Sequence, residues 1–497
     1  MRRATAFMTE RVAYRGGYVW SYLPDFSRRW GEMEAYPTMI WLQPPGTATV
    51  GHLYLDCYAV TGEAFYYRAA RQVADGIIGA QHPSGGWNYL HDFAGEESAR
   101  RWHETIGKNG WRLEEFHHYY PNATFDDAGT SEASQFLLRL YLIRRERALR
   151  EPVERSIRFV LNSQYANGGW PQRYPRVAGE VHYAPYITFN DDVADENIKF
   201  LLMVYHTLGD SRALEAIRRA MDVFPLTQQP APQAGWSLQH HHETLAPMGA
   251  RSYEPESLAS HTTAGNIAQM LDFYEWTGEE RFIARIPEAL DWLDSLRLRE
   301  DQVRVRGRHY PTFIEIGTNR ARINHRRGSN VVNGAYYWDY NPERAITHYG
   351  QWRALDVAAL RARYEQLRAA APDLAGSPLV RGNFRMPRLF TTHTISVSDL
   401  NSNVGAGDIA RPTPERVDQL VAGLNAEGYW PTPLTATSNP YIGDGPAVPA
   451  PGDFGMTLVG DASDTSPHTT QNPVTGISTG TFIQNMSALL LSVDSGQ

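Results

Sequence analysis

Apolar positions along this chain fall mostly at helical spacing. "RYEQLRAA" and "IPEALDWLDSLRL" repeat them every three or four residues, the mark of amphipathic helices. One stretch departs from this. "DQVRVRGRHYPTFIEIG" alternates as a strand does, so a small β insertion is expected near 300–340.

The helical segments are organised as a repeat. A helix runs into a Gly-Gly-aromatic turn, a polar loop follows, and a Thr/Asp-rich start opens the next amphipathic helix. The copies are "RGGYVW" with "PGTATVGHLYLDCYAVTGE", "HPSGGWNY" with "TFDDAGTSEASQFLLRLY", and "YANGGWPQRYP" with "ITFNDDVADENIKFLLMVYHTLGD". A weaker copy is "APQAGWSLQ" with "SLASHTTAGNIAQMLDFYEWTGE", and a degenerate one is "NAEGYWPT" with "ISTGTFIQNMSALLLSV". The first four turns lie roughly 65 to 85 residues apart, room for one helical hairpin and a loop. Stacked units of this kind share a core. The expected fold is therefore all-α, an (α/α) toroid or barrel of repeated helical hairpins, with an open α-solenoid as the alternative. We read 1–497 as one domain, with N-terminal repeats in 1–123, a core in 124–352 and repeats in 353–497 closing the ring. In a toroid the turns between units gather on one face and line a cleft in which a polymer can lie.

Composition narrows the partners. The net charge of -8 argues against a nucleic-acid binder, although a local basic patch can still hold a polyanion in one cleft. No apolar run approaches the ~18 residues of a membrane span, so no membrane partner is expected. Cys57 is the one cysteine, which excludes an intramolecular disulfide and a cysteine metal cage. The start "MRRATAFMTERVAYRGGYVW" has two arginines and no apolar stretch behind them, so this chain shows no signal peptide. The expectation is a periplasmic or secreted monomer whose leader lies outside the sequence, with the cytoplasm left open. The 13 Trp and 27 Tyr suit a sugar-binding cleft.

Four clusters can carry chemistry. "TFDDAGT" holds Asp126 and Asp127, and "YITFNDDVADENIKF" holds Asn190, Asp191 and Asp192. The plainer reading of each is a helix cap, which needs only one such residue. Their equivalent places in consecutive repeats lead us to expect them near each other. Carboxylates so gathered repel one another unless a cation or a shared proton relieves them, and hard oxygen ligands suit calcium. "HHHETLAPMGARSYEPESL" holds His240, His241, His242, Glu243, Arg251, Tyr253 and Glu254. It lacks the HExxH spacing of a zinc site, which leaves sugar contacts such as His241. For Arg251 the plainer reading is a salt bridge with Glu254 or Glu256. "IEIGTNRARINHRRGSN" holds His325 and the arginines Arg320, Arg322, Arg326 and Arg327, whose guanidinium groups suit an acidic sugar.

In this order, "YANGGWPQRYP", "ITFNDD", "ARSYEPESL", "IGTNR" with its Arg-Gly turn, and "HYGQW" resemble the family 10 polysaccharide lyases, over roughly Thr124 to Trp352. These are pectate lyases with a helical, toroid-like catalytic domain that cleave polygalacturonate by β-elimination with calcium. The resemblance implies that Asp191 is a calcium ligand, that Arg251 is the base and that Arg326 grips the substrate carboxylate; its early Asp-Asn motif falls on Asp126 and Asp127, which we expect to contact substrate and to bind the metal. Asn190, Arg320 and His241 complete the expected substrate-binding set. Two positions depart from the family pattern. Asp127-Ala128-Gly129 stands where Asn-Gly-Ala is usual, and Thr312 where a second substrate arginine is expected.

β-Elimination removes the C5 proton, α to the uronate carboxylate, and expels the C4 oxygen. That proton becomes acidic only when the carboxylate charge is neutralised by a metal or by arginine. Arginine is an awkward base because its pKa lies above ~12, so Tyr253, with a reference value near ~10, is the rival. The expected activity is a lyase on a polygalacturonate-like polymer. The alternatives are another uronate polymer such as glucuronan or mannuronan, an (α/α)-toroid hydrolase of uronyl oligosaccharides using carboxylates as acid and base, or a glycan-binding protein without chemistry.

Overall fold

The computed structural model describes residues 1–107, 114–326, 336–343, 350–392, 409–434 and 474–494. Its main helices come in pairs: α1 (Thr47–Thr61) with α2 (Ala64–Ala80), α3 (Gly129–Arg144) with α4 (Arg147–Ser163), α5 (Val193–Leu208) with α6 (Ser211–Thr227), and α7 (Ser260–Thr277) with α8 (Ile286–Ser295). Three more follow among the described residues, α9 (Val357–Ala369), a short helix Pro414–Gly423, and α10 (Thr479–Val493). This is the all-α, (α/α) class that the repeats predict. The expected β insertion is present as two-residue strands Tyr310–Pro311 and Phe313–Ile314 and a hairpin of Ile323–Arg326 with Tyr336–Asp339.

Two compact units can be distinguished. One comprises Met1–Phe159 and the described residues from Met386 onward, the other Val160–Arg385. In the first, α1 packs on α2, α3 and α10; in the second, α5 packs on α6, α6 on α7, and α7 on α8 and α9. The first helix of a pair is the enclosed one. Every residue of α1 from Thr47 to Cys57 and of α3 from Gly129 to Leu140 is buried. The second helix buries one face, as α2 and α6 do. Enclosure leaves the polar groups of α1 and α3 to find each other. Arg139 meets Asp56 at 2.7 Å, Thr49 donates to Glu132 at 2.7 Å, and the other Asp56 oxygen takes the Thr391 N–H at 2.7 Å. Buried charges persist only when paired in this way.

The Gly-Gly-aromatic turn does the same mechanical job in the last four copies. The indole N–H of Trp87, Trp170, Trp236 and Trp430 donates to a carbonyl in the preceding helix or its end, those of Ile77 (2.8 Å), Val160 (2.8 Å), Phe224 (2.9 Å) and Leu420 (2.8 Å). The backbone after the turn then receives the next repeat. The N–H groups of Trp41, Thr124 and Ala259 donate to the carbonyls of Tyr18, Trp87 and Trp236, each at 2.8 Å. One residue later, Leu42 donates to Tyr89 at 2.7 Å, Phe189 to Leu238 at 2.9 Å, Ser260 to Thr312 at 3.1 Å, and Thr479 to Trp20 at 2.8 Å. The last of these bonds the start of the final helix to the first turn of the chain. The ladder thus fixes where each of these helices begins, and just before α3 and α5 stand the acidic residues Asp126, Asp127, Asp191 and Asp192.

Candidate active site

Those residues sit on strained backbone. Asp191 and Asp192 both lie in the left-handed region, at φ 51°, ψ 33° and φ 54°, ψ 27°. Asp127 and Ala128 repeat the pair at φ 51°, ψ 34° and φ 56°, ψ 3°. Two successive non-glycine residues of this kind cost on the order of 1–3 kcal/mol each, and such strain collects at functional sites. Asp192 is the residue before α5, yet no side chain caps that helix. The capping role expected for Asn190 or Asp192 is therefore replaced by a turn that presents three polar side chains.

In the second unit this turn joins the Arg251 loop. Strand Gln239–His240 pairs with Pro247–Met248, and the chain then closes tightly, with the Glu254 N–H on the Arg251 carbonyl at 2.8 Å. A Cβ at Gly249 would lie 2.8 Å from the Glu256 nitrogen, so the loop requires glycine there. The Glu254 carboxylate is the hub. One oxygen takes the Arg251 N–H at 2.9 Å. The other takes Arg251 Nη1, Asn190 Nδ2 and Gln239 Nε2, each at 3.3 Å. Asn190 Nδ2 also donates to Asp191 Oδ2 at 2.7 Å. Arg251 keeps 4% of its surface exposed, with its guanidinium 5.8 Å from the Tyr183 ring. Tyr253 has no accessible surface, and its carbonyl takes Asn324 Nδ2 at 2.8 Å.

In the first unit Asp126 is buried and accepts from the Tyr89 hydroxyl at 2.5 Å. Its neighbour Asp127 belongs to a different set. Carboxylate oxygens of Glu32, Glu115 and Asp127 lie within 4.8 Å of one another. Gln43 Nε2 donates at 2.9 Å to both Glu32 and Asp127, while Trp41 Nε1 donates to the Gln43 amide oxygen at 2.8 Å and fixes which way the amide faces. Three largely enclosed oxygen donors at this spacing are able to hold a metal ion, and their hardness fits calcium or magnesium better than softer metals.

A family model described as pectic acid lyase matches residues 92–346. The chain belongs to the pectic acid lyase family. It is an enzyme, a lyase of uronic-acid-containing polysaccharides. Similar solved structures include a family 10 polysaccharide lyase from Cellvibrio cellulosa, at 20% identity over 53% of this chain and 81% of that chain, TM-score 0.38. A mutant of that lyase in complex with trigalacturonic acid is similar at 16% identity over 65% and 98%, TM-score 0.42. A D-mannose isomerase is similar at 10% identity over 62% and 72%, TM-score 0.40. No curated protein sequence matches.

The lyase match leaves Glu32 and Gln43 outside it and Glu115 and Asp127 inside. Sequence reasoning missed Glu32, Gln43 and Glu115. Gln43 had a signal, since "WLQPPGTAT" aligns with "TFDDAGT" and puts Gln43 where Asp126 and Asn190 stand. Glu32 and Glu115 lie in loops that do not repeat. Among the remaining expected residues, His241 accepts from the backbone N–H of Glu243 at 3.2 Å and of Thr244 at 3.3 Å, with its ring tilted on Tyr186 at 5.9 Å. Arg320 is exposed and lies 3.2 Å over the Tyr340 ring. The Arg326 backbone pairs with Tyr336, and its side chain lies outside the described residues. Arg327 lies outside them too. Thr312 is fully buried and donates to the Gly350 carbonyl at 2.8 Å, so the position of the expected second arginine faces the core.

Proposed function

We propose that this lyase cleaves a polygalacturonate-like uronate polymer by β-elimination, with Arg251 at the C5 proton and calcium as its metal. The observation that carries the reading is the position of Arg251. A nearly buried guanidinium is anchored through Glu254 to the same strained turn that presents Asn190 and Asp191. Glu254 holds Arg251 at its backbone N–H and again at its guanidinium, which ties the buried side chain to the loop. In this proposal Arg251 takes the C5 proton with water as its partner. Asn190 is the proposed partner of sugar hydroxyls, and Arg320 and Arg326 the proposed partners of uronate carboxylates; Asp126, with no accessible surface, instead supports the site from behind. Glu32, Glu115 and Asp127 are a proposed calcium site of the first unit, and Asp191 is separately a proposed calcium ligand in the second. A bound calcium ion supplies Lewis-acid neutralisation of a uronate carboxylate. Tyr253 is the weaker base candidate because its side chain has no surface through which to meet a polymer. The enzyme is expected to act outside the cytoplasm, as a monomer.

A panel of acidic polysaccharides, with and without a chelator, read by the ultraviolet absorbance of the unsaturated product, tests this. Chelator-sensitive absorbance on a galacturonate polymer is the expected result. Cleavage with no gain of absorbance would identify a hydrolase instead.

A further inference from the structure

In the second unit two arginines are laid on aromatic rings. Arg320 and Arg322 lie in the segment that leads into strand Ile323–Arg326. The Arg322 guanidinium lies 3.8 Å from the centre of the Trp338 ring, and that of Arg320 lies 3.2 Å from the centre of the Tyr340 ring. The two rings meet edge to face at 5.5 Å, and each residue is 38% exposed. The Tyr340 hydroxyl donates to the Glu315 oxygens, at 2.9 and 3.0 Å, which fixes its ring.

This row is tied to the loop that carries Arg251. Arg322 Nη1 donates to the Glu256 carbonyl at 2.6 Å, and Asn324 Nδ2 donates to the Tyr253 carbonyl at 2.8 Å. Asn324 is also the cross-strand partner of Trp338. The Arg322 backbone N–H donates to the Phe313 carbonyl at 2.9 Å, so the segment is held on its other side as well. Loop, strand and ring therefore keep a fixed spacing, and Arg322 stands beside the residues that position Arg251.

What the two arginines lack is a counter-ion. Among the described residues neither guanidinium forms an ion pair, and the Glu256 carbonyl is the one hydrogen-bond acceptor that either of them meets. A purely structural arginine here has Glu315 at hand, yet the Glu315 oxygens take the Tyr340 hydroxyl and, at 2.5 Å, the Thr318 hydroxyl. Burial pushes the Arg322 guanidinium down from its ordinary value, although Glu315 and Glu256 lie near enough to favour its charge. A guanidinium stacked on a ring keeps its N–H edge free, and that edge matches a carboxylate through two parallel hydrogen bonds. We propose that Arg322, oriented by Trp338, receives the carboxylate of a uronate unit bound beside the one at Arg251, with Arg320 on Tyr340 as the next fork along the polymer. This rests on the lyase reading and adds that neighbouring units of the substrate carry ionised carboxylates. Trp338 and Tyr340 are positioning residues in this subsite.

The test is kinetic. Initial rates by ultraviolet absorbance are measured for the full chain on an unesterified galacturonate polymer. Arg322→Gln is expected to raise KM at least tenfold while kcat changes less than threefold, the signature of a lost binding contact away from the reacting bond. Trp338→Ala should do the same. Trp338→Phe keeps a ring under the guanidinium and should return KM to within threefold of the wild type. A purely structural role would reduce the amount of active enzyme, and so kcat, without moving KM. Arg322→Lys keeps the charge and loses the fork, and a KM raised at least threefold is the expected result should the glutamine variant fail to fold. An unchanged KM in the folded Arg322 variants, or a loss confined to kcat, would overturn the subsite. If no uronate polymer gives unsaturated product, the lyase reading fails instead, and calorimetry with trigalacturonate and its methyl ester decides the subsite. Binding of the free acid at least tenfold tighter than the ester, with that preference lost in Arg322→Gln, then supports it, and equal or absent binding removes it.

Discussion

Arg251 and Glu254 are bound twice within one turn, backbone N–H to carboxylate at 2.9 Å and guanidinium to carboxylate at 3.3 Å. Glu254 has no exposed side-chain surface, so neither partner can be replaced by water cheaply. Glu254→Gln therefore leaves a buried guanidinium without its counter-charge, a change that costs about 3–5 kcal/mol in comparable pairs. Arg251→Ala is expected to lower kcat by about 10²–10⁴-fold, the range of a lost proton-transfer group, while oligosaccharide affinity changes less than tenfold. Stopped-assay kinetics and titration calorimetry on the two variants separate these effects. Near wild-type product formation by Arg251→Ala would remove Arg251 from the mechanism.

The cluster of Glu32, Glu115 and Asp127 predicts a crossing of signs. Without a cation three gathered carboxylates repel, so Glu32→Gln should melt higher than wild type in the presence of a chelator. With calcium the order reverses, because the variant has lost a ligand. At calcium a hundredfold above Kd the wild type gains about 2.7 kcal/mol. Thermal melts with and without calcium read both halves without any substrate. Identical calcium responses in the two proteins would place the ion elsewhere.

The repeat was readable because it is mechanical. Gly-Gly-Trp recurs at Trp87 and Trp170 since both turns combine a left-handed glycine, a close approach and an indole donor on the preceding helix. "TFDDAGT" and "TFNDD" recur since both hold the same strained angles, and the family resemblance added roles that no spacing reveals. The Arg251–Glu254 pair was legible because its partners lie in one turn. Glu32 and Glu115 were not legible. They reach Asp127 across loops of the first unit, and nothing local in "RWGEMEAY" or "RLEEFHHYY" marks one carboxylate among several.

Gly168 shows how strict the turn is. It lies at φ +95°, and a Cβ there would sit 1.8 Å from the Arg219 carbonyl oxygen. Backbone, not a flexible side chain, is what it would strike. Gly62 has a similar dihedral, φ +69°, with nothing within 4 Å. Gly62→Ala should cost about 1 kcal/mol, the left-handed penalty alone. Gly168→Ala adds the clash and should cost above about 4 kcal/mol or fail to fold. Chemical denaturation of the pair measures the difference, and equal losses would mean that the turn relaxes freely.

His240 predicts an acid limit for the second unit. It is fully buried, its Nδ1 faces the Leu245 carbonyl at 2.9 Å, and its Nε2 accepts the Ser237 N–H at 3.1 Å. Protonation would turn Nε2 into a donor facing a donor. Burial lowers its pKa from 6.5 to about 4. Between those values the unfolded chain binds the proton and the folded one does not, so stability falls as pH falls from 6.5 towards 4. The full loss is about 3 kcal/mol. Asp195, raised to about 7, acts with the opposite sign, its contribution fading as pH rises through that value. Comparing wild type with His240→Gln cancels the Asp195 effect. Urea denaturation at pH 7.5, 5.5 and 4.5 should show the variant less stable at the first and level with or above the wild type at the last. A constant difference across the three would mean that His240 titrates normally in the fold.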